Sequence, residues 1–206
     1  MKPSDHLTPC PQSICTRSRG FGFSLLEVLI SVLVFSIGVL GIAALQLKAK
    51  QSGYEAVQRT IASSLAAELL ERMRLNSSGT SLINYVTANG TQTLNAASPP
   101  AAAPDCSAGC TSTQIAALDL RNFWDALNGA SETRNGNSTG GLVNPTACIN
   151  GPADGSPGTY TVTIAWRGQA DLTNANASTC GQGSYDGPSG TNGYRRILSI
   201  TTWIGP

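Results

Sequence analysis

Charge is what this chain has least of. Only 12% of its 206 residues are Asp, Glu, Lys or Arg, about half the quarter usual in soluble globular domains. Lys+Arg at 13 nearly balance Asp+Glu at 12, so there is no cationic excess to neutralise phosphates, and nucleic acid is not indicated as a partner. Hydrophobic residues make up 41% of the chain, which excludes disorder driven by low hydrophobicity and high net charge. Histidine is nearly absent, since His6 is the only one. No Gly-rich phosphate loop follows a strand, and there is no G-x-S-x-G. No catalytic constellation, metal site or cofactor is therefore expected, and the chain does not read as an enzyme. Asp119 and Asp125 stand six apart on no shared helix face, so Asp119 is read as a cap or a solvated charge. The pair Arg195-Arg196 is read as solvated at a strand surface, and Trp124, Trp166 and Trp203 as core. The length suits one domain with a modest core.

The apolar residues that are present are unevenly placed. Between Arg19 and Lys48 the only charged residue is Glu27, and Val28 to Leu47 is a run of 20 uncharged, mainly apolar residues. At about 1.5 Å per residue a helix of that length matches a hydrocarbon core of roughly 30 Å. A soluble core helix would show a polar face, and this one shows almost none. Residues 1–19 carry Lys2, Arg17 and Arg19 against Asp5, with Pro3, Pro9 and Pro11 interrupting any helix. They read as a targeting segment. A conventional secretory signal cut near Ala43 or Ala44 would leave a secreted binding domain, but it must explain a carboxylate at the head of the apolar run. Such an acid is expensive in a bilayer and usually marks a function.

The stretch Gly22-Phe23-Ser24-Leu25-Leu26-Glu27-Val28-Leu29-Ile30 resembles the prepilin signature of type IV pilins and of type II secretion pseudopilins. The resemblance implies that a prepilin peptidase cuts between Gly22 and Phe23, that Phe23 is then N-methylated, and that Glu27 is the fifth residue of the mature chain. A second Gly-Phe step at Gly20-Phe21 would not put the acid at that offset. Cleavage would create an amine on Phe23, cationic below about pH 7.7–8.0. An amine and a carboxylate in an apolar environment offset each other's desolvation only by pairing, which suits Glu27 to subunit assembly with the amine of a neighbour. Major pilins often carry a helix-breaking Pro about 22 residues into the mature chain, where this sequence has Ala44; Gly38 and Gly41 are the candidate soft points.

Beyond Leu47 the pattern becomes amphipathic. Tyr54, Val57, Ile61, Leu65, Leu69 and Met73 recur at helical spacing, Glu68 and Arg72 form a favourable i,i+4 pair, and Asn76-Ser77-Ser78-Gly79 supplies a stop. One helix from Phe23 to about Asn76, 54 residues, would be about 80 Å long. In the remainder, Ala96 to Pro104 is a Pro/Ala loop. Thr113 to Leu127 reads as a helix capped by Ser112 or Thr113 and stopped by Gly129. Residues 159–167 and 194–204 read as strands, with the first alternating on Tyr160, Val162, Ile164 and Trp166. The segment Gly168 to Gly193 between them is long and irregular. The fold class that follows is α+β and pilin-like, with a long N-terminal helix packed on a small antiparallel sheet. The organisation expected is a removed leader (1–22), an apolar membrane or filament half-helix (23–47), an amphipathic half (48–76) and an exported head (77–206).

Cys10 and Cys15 would leave with the leader, and Cys106, Cys110, Cys148 and Cys180 would remain. Four cysteines allow three connectivities; Cys106–Cys110 and Cys148–Cys180 are favoured, with zinc the rival. The Cys pair, the helix Ala116–Leu127 and the two strands together resemble PilV-type minor pilins, also called type IV pilus modification proteins. That resemblance implies a low-abundance subunit that primes pilus assembly at the filament tip. Its implied partners are prepilin peptidase, other minor pilins, the major pilin, the inner-membrane assembly platform and a tip adhesin. Its implied location is the inner membrane, single-pass with the head in the periplasm, and then the surface pilus. The alternative is a minor pseudopilin of a type II secretion system.

Overall fold

The structure is a computed structural model, and it describes residues 22, 24–78, 81–130, 132–172, 178–188 and 190–205. It divides into two compact units, residues 1–47 and residues 48–206. Helix α1 spans Leu25–Leu75, 51 residues, and contributes to both. It has an acid, Glu27, in its first turn and two bases, Arg72 and Arg74, in its last, each sign matching the helix dipole at that end. The Ser24 carbonyl accepts the first helical N–H bonds, from Glu27 and Val28. The helix runs without interruption through Gly38 and Gly41.

In the first unit every described residue is exposed. In the second, a short 3-10 helix (Ser81–Tyr85) and strand β1 (Thr91–Leu94) follow α1. Helix α2 (Ser112–Leu127) leads to a small ribbon of β2 (Thr133–Arg134) and β3 (Asn137–Ser138). Strands β4 (Thr146–Asn150), β5 (Gly158–Arg167) and β6 (Arg195–Ile204) complete the chain. The main sheet has the order β1-β4-β5-β6, with every neighbouring pair antiparallel. Strands β5 and β6 stay in register for ten residue pairs, from Gly158↔Ile204 to Arg167↔Arg195. The α+β class is therefore the observed one.

One face of the sheet, with Ala147, Ile149, Tyr160, Val162, Ile164 and Trp166, joins the core formed with α1 and α2. The other face carries a smaller cluster of Cys148, Ala165, Cys180, Tyr185 and Ile197. This second cluster explains why β5 is buried on both faces from Val162 to Trp166 although its sequence alternates.

The buried stripe of α1 differs from the one the apolar spacing suggests. Gln58, Ala62, Ala66, Leu69, Leu70 and Met73 are buried, whereas Tyr54 and Val57 are 40% and 57% exposed. The contact line is turned by one residue at its start and converges on Leu69 and Met73. Ala62 and Ala66 are both fully buried.

The cap of α2 also differs. It is Thr111, neither Ser112 nor Thr113. Thr111-Ser112-Thr113 offers three competent caps, and the choice falls on the one three residues before a Gln. Gln114 N donates to Thr111 Oγ1 at 3.3 Å, and Thr111 N donates to Gln114 Oε1 at 2.9 Å. At the far end Gly129 sits at φ +65°. Gly129 N donates to Ala126 O at 3.0 Å and Ala130 N to Asp125 O at 2.8 Å, the pair of bonds that closes a helix on a left-handed glycine.

Candidate functional site

The described residues of the apolar half of α1 are all exposed. Leu25, Leu29, Phe35, Leu40 and Leu45 are each more than 60% exposed, and by length and composition the helix can cross a membrane. Two of its hydroxyls, those of Ser31 and Ser36, are satisfied within the helix. Ser31 Oγ donates to Glu27 O at 2.7 Å, and Ser36 Oγ donates to Leu33 O at 2.7 Å. A hydroxyl turned back onto its own helix can enter a medium without water at little cost. Glu27 brings a charge to this segment. It lies in the first turn, exposed, as the only charged residue between Ser24 and Leu47. Among the described residues no cation lies within ion-pair distance of it. Gly22 is exposed as well. Phe23, the residue expected to carry the new amine, lies outside the described residues, as do Cys10, Cys15 and His6 of the expected leader.

The second unit holds its polar groups by contacts that the sequence reading misplaced. Asp119 is neither a cap nor solvated: it is 5% exposed. It accepts from the Tyr85 hydroxyl at 2.6 Å and from Arg72 Nη1 at 3.2 Å. Asn76 Nδ2 donates to Tyr85 Oη at 3.2 Å and to Ser112 O at 2.8 Å. This cluster ties α1, the 3-10 helix and α2 together. Burial and the hydrogen bond to Asp119 push the Tyr85 phenol well above its ordinary range. The Arg72 guanidinium is raised by its bond to Glu68, with Asp119 adding to that.

Arg195 and Arg196 are not solvated charges either. Arg195 is 5% exposed, and its Nη1 donates to Ser178 O at 2.9 Å and Cys180 O at 3.2 Å. Arg196 Nη2 donates to Glu55 Oε1 at 2.9 Å and Ala170 O at 2.7 Å. Burial pushes the Glu55 carboxyl up, but the hydrogen bond and charge of Arg196, with backbone donors at Ala170 and Gln169, outweigh it and leave the carboxyl below its usual range. A cleft of about 410 Å³ beside this pair is also lined by Arg59 and Trp166. Trp124 and Trp166 are core, whereas Trp203 is 65% exposed. It stands opposite Thr159 near the end of β6, beyond the reach of the small outer cluster.

Cys106 is bonded to Cys110, and Cys148 to Cys180. Among the described residues no group of three or more His, Cys, Asp or Glu side chains is placed to hold a metal.

Residues 17–43 match the prokaryotic N-terminal methylation motif, and residues 44–121 match the family described as Type IV pilin Tt1218. No curated protein and no solved structure matches the chain. With the long apolar helix and the antiparallel sheet, the two family matches support a type IV pilin, a class of structural subunits rather than enzymes. The methylation motif implies processing by a prepilin peptidase and assembly with other pilins. The apolar helix is consistent with membrane anchoring before incorporation into a surface pilus.

Proposed function

We propose that this chain is a minor subunit of a type IV pilus, of the PilV type, that helps prime assembly near the filament tip. Prepilin peptidase cuts between Gly22 and Phe23 and methylates the amine of Phe23. Before assembly the apolar half of α1 crosses the inner membrane once, with the disulfide-bonded head in the periplasm. The chain then leaves the assembly platform and joins other minor pilins and the major pilin, with a tip adhesin as a further partner.

The observation that carries the filament-assembly part of this reading is the position of Glu27, a lone carboxylate in the first turn of an otherwise uncharged and exposed helix segment; the minor-subunit part rests on the resemblance of the head to PilV-type proteins. A carboxylate in a bilayer or filament core needs a cation, because desolvation otherwise costs several kcal/mol. The amine of Phe23 on a neighbouring subunit is a cation placed by the same processing step. Pairing there would draw one subunit to the next and set their offset.

Glu27→Leu tests it. The variant should insert into the membrane and be cut at Gly22 normally, yet enter sheared pili at a level at least tenfold below wild type. Wild-type incorporation would overturn the assembly role. N-terminal sequencing of the membrane-extracted protein should begin at methylated Phe23, and a start after Ala44 would favour a conventional signal peptide. Loss of surface pili on deletion, with enzyme secretion intact, would separate this reading from a secretion pseudopilin.

A further inference from the structure

The outer face of the main sheet carries a groove of about 320 Å³ that takes no part in the polar contacts of the helical side. Its floor is β1 and β4, where Thr91 pairs with Asn150 and Thr93 with Cys148. Its wall is the segment from Ser178 to Ser184. The lining is made of hydroxyl and amide residues with the Cys148–Cys180 bridge and Gly181. Among the described residues it contains no charged and no aromatic side chain.

The wall is fixed by groups other than those it presents. Cys180 is bonded to the floor through Cys148. Buried Arg195 donates to the carbonyls of Ser178 and Cys180 from behind. Tyr185 Oη lies 2.7 Å from Asn144 O and 3.0 Å from Thr146 Oγ1, and Gly183 N donates to Asn192 Oδ1 at 2.7 Å. With the wall held in this way, the side chains of Thr91, Thr93, Asn150, Thr179, Gln182 and Ser184 are exposed. None of these six is engaged by another group among the described residues. They form a set of donors and acceptors on a preorganised frame, the condition under which binding loses least to ordering.

Their chemistry selects the ligand. Phosphates and nucleic acids need Lys or Arg, which the groove lacks. A firmly held divalent metal calls for carboxylate, imidazole or thiolate ligands beside any neutral oxygens; the described lining has neither of the first two, and both cysteines are bonded. An apolar ligand would strand the hydroxyls and amides without partners. Hydroxyl and amide groups both donate and accept, and so do the hydroxyls of a sugar. We propose that this groove binds a neutral saccharide. The volume stands at the small end of the range of roughly 300–1,000 Å³ for ligand pockets, enough for roughly one or two rings. With no aromatic platform, affinity comes from hydrogen bonds alone, and dissociation constants on the order of 1 mM are expected. This site does not depend on the pilus assignment.

The test uses the full processed protein in a zwitterionic detergent, since detergents with sugar head groups would compete. An array of neutral and anionic oligosaccharides is read by saturation-transfer NMR, with inorganic phosphate as a further probe. Neutral saccharides should give signals that weaken about tenfold or more in N150A/Q182A, with an unchanged melting temperature. If that variant melts early, Thr93→Ala with Thr179→Ala removes two other groups of the same set. Binding confined to anionic probes, no binding of any neutral saccharide, or wild-type binding by a well-folded variant would each overturn the proposal.

Discussion

Tyr85 and Asp119 stand 34 residues apart in sequence, yet the phenol donates to the carboxylate at 2.6 Å inside the core. The bond fastens the 3-10 helix to α2, and Arg72 brings α1 to the same carboxylate at 3.2 Å. Removing the phenol leaves a buried acceptor short of a donor, which costs about 1–3 kcal/mol. Tyr85→Phe should therefore lower the stability of the head at neutral pH by that amount in urea denaturation.

The same pair gives a pH signature. Tyr85 titrates above its ordinary value because burial and Asp119 favour the neutral phenol. A group whose folded pKa is raised contributes stability that is complete below its unfolded value, about 10 for tyrosine. That contribution is lost as pH rises toward the folded value. The stability gap between wild type and Tyr85→Phe should hold steady from about pH 6 to 9 and narrow above about pH 10. A gap that stays constant to about pH 11 would mean that the phenol is not selectively held neutral.

Gly129 closes α2 in a place where no side chain fits. Its φ is +65°, and a Cβ there would collide with the carbonyl of Gly140. The crowding follows from the return of the chain, since Leu142 N donates to Leu127 O at 2.8 Å. Gly129→Ala should cost more than about 2 kcal/mol, because a left-handed alanine alone costs roughly 1–2 kcal/mol and the carbonyl must also move. Gly183 is the control: its φ is also positive, but no atom lies within 4 Å of where its Cβ would stand. Gly183→Ala should cost only the conformational part.

The features of this protein that are legible in its sequence are local ones, and those that are not depend on partners far along the chain. The apolar run, Glu27 and the long helix declare themselves through composition and offset. Strands β1 and β4 do not, because T-Q-T-L and T-A-C-I-N are short and carry no clean alternation; the pairing of β4 with β5, and of β1 with β4, makes them strands. Asp119 is misread because a single acid on a helix is ordinarily solvated, and the groups that bury it lie 34 and 47 residues away. Arg195 is misread because its partners are carbonyls of an irregular segment. The cap of α2 is legible in the sequence after all: Gln114 stands three residues after Thr111, and that spacing distinguishes Thr111 from its two hydroxyl neighbours.

The two disulfides should differ in weight. Cys148 and Cys180 are 32 residues apart, whereas Cys106 and Cys110 are separated by 4. In the chain-entropy account a longer closed loop restricts the unfolded state more, giving about 3–4 kcal/mol for the first bridge and about 2 kcal/mol for the second. Their surroundings point the same way. Cys148 and Cys180 are 7% and 5% exposed and belong to the outer cluster with Tyr185 and Ile197, so removing their bond also loosens the segment that Arg195 holds. The bond between Cys106 and Cys110 closes a short turn in an exposed stretch. Replacing both residues of each bridge by Ser should therefore lower stability in guanidinium by about twice as much for Cys148/Cys180 as for Cys106/Cys110. Equal losses would mean that the first bridge does not hold the outer segment on the sheet.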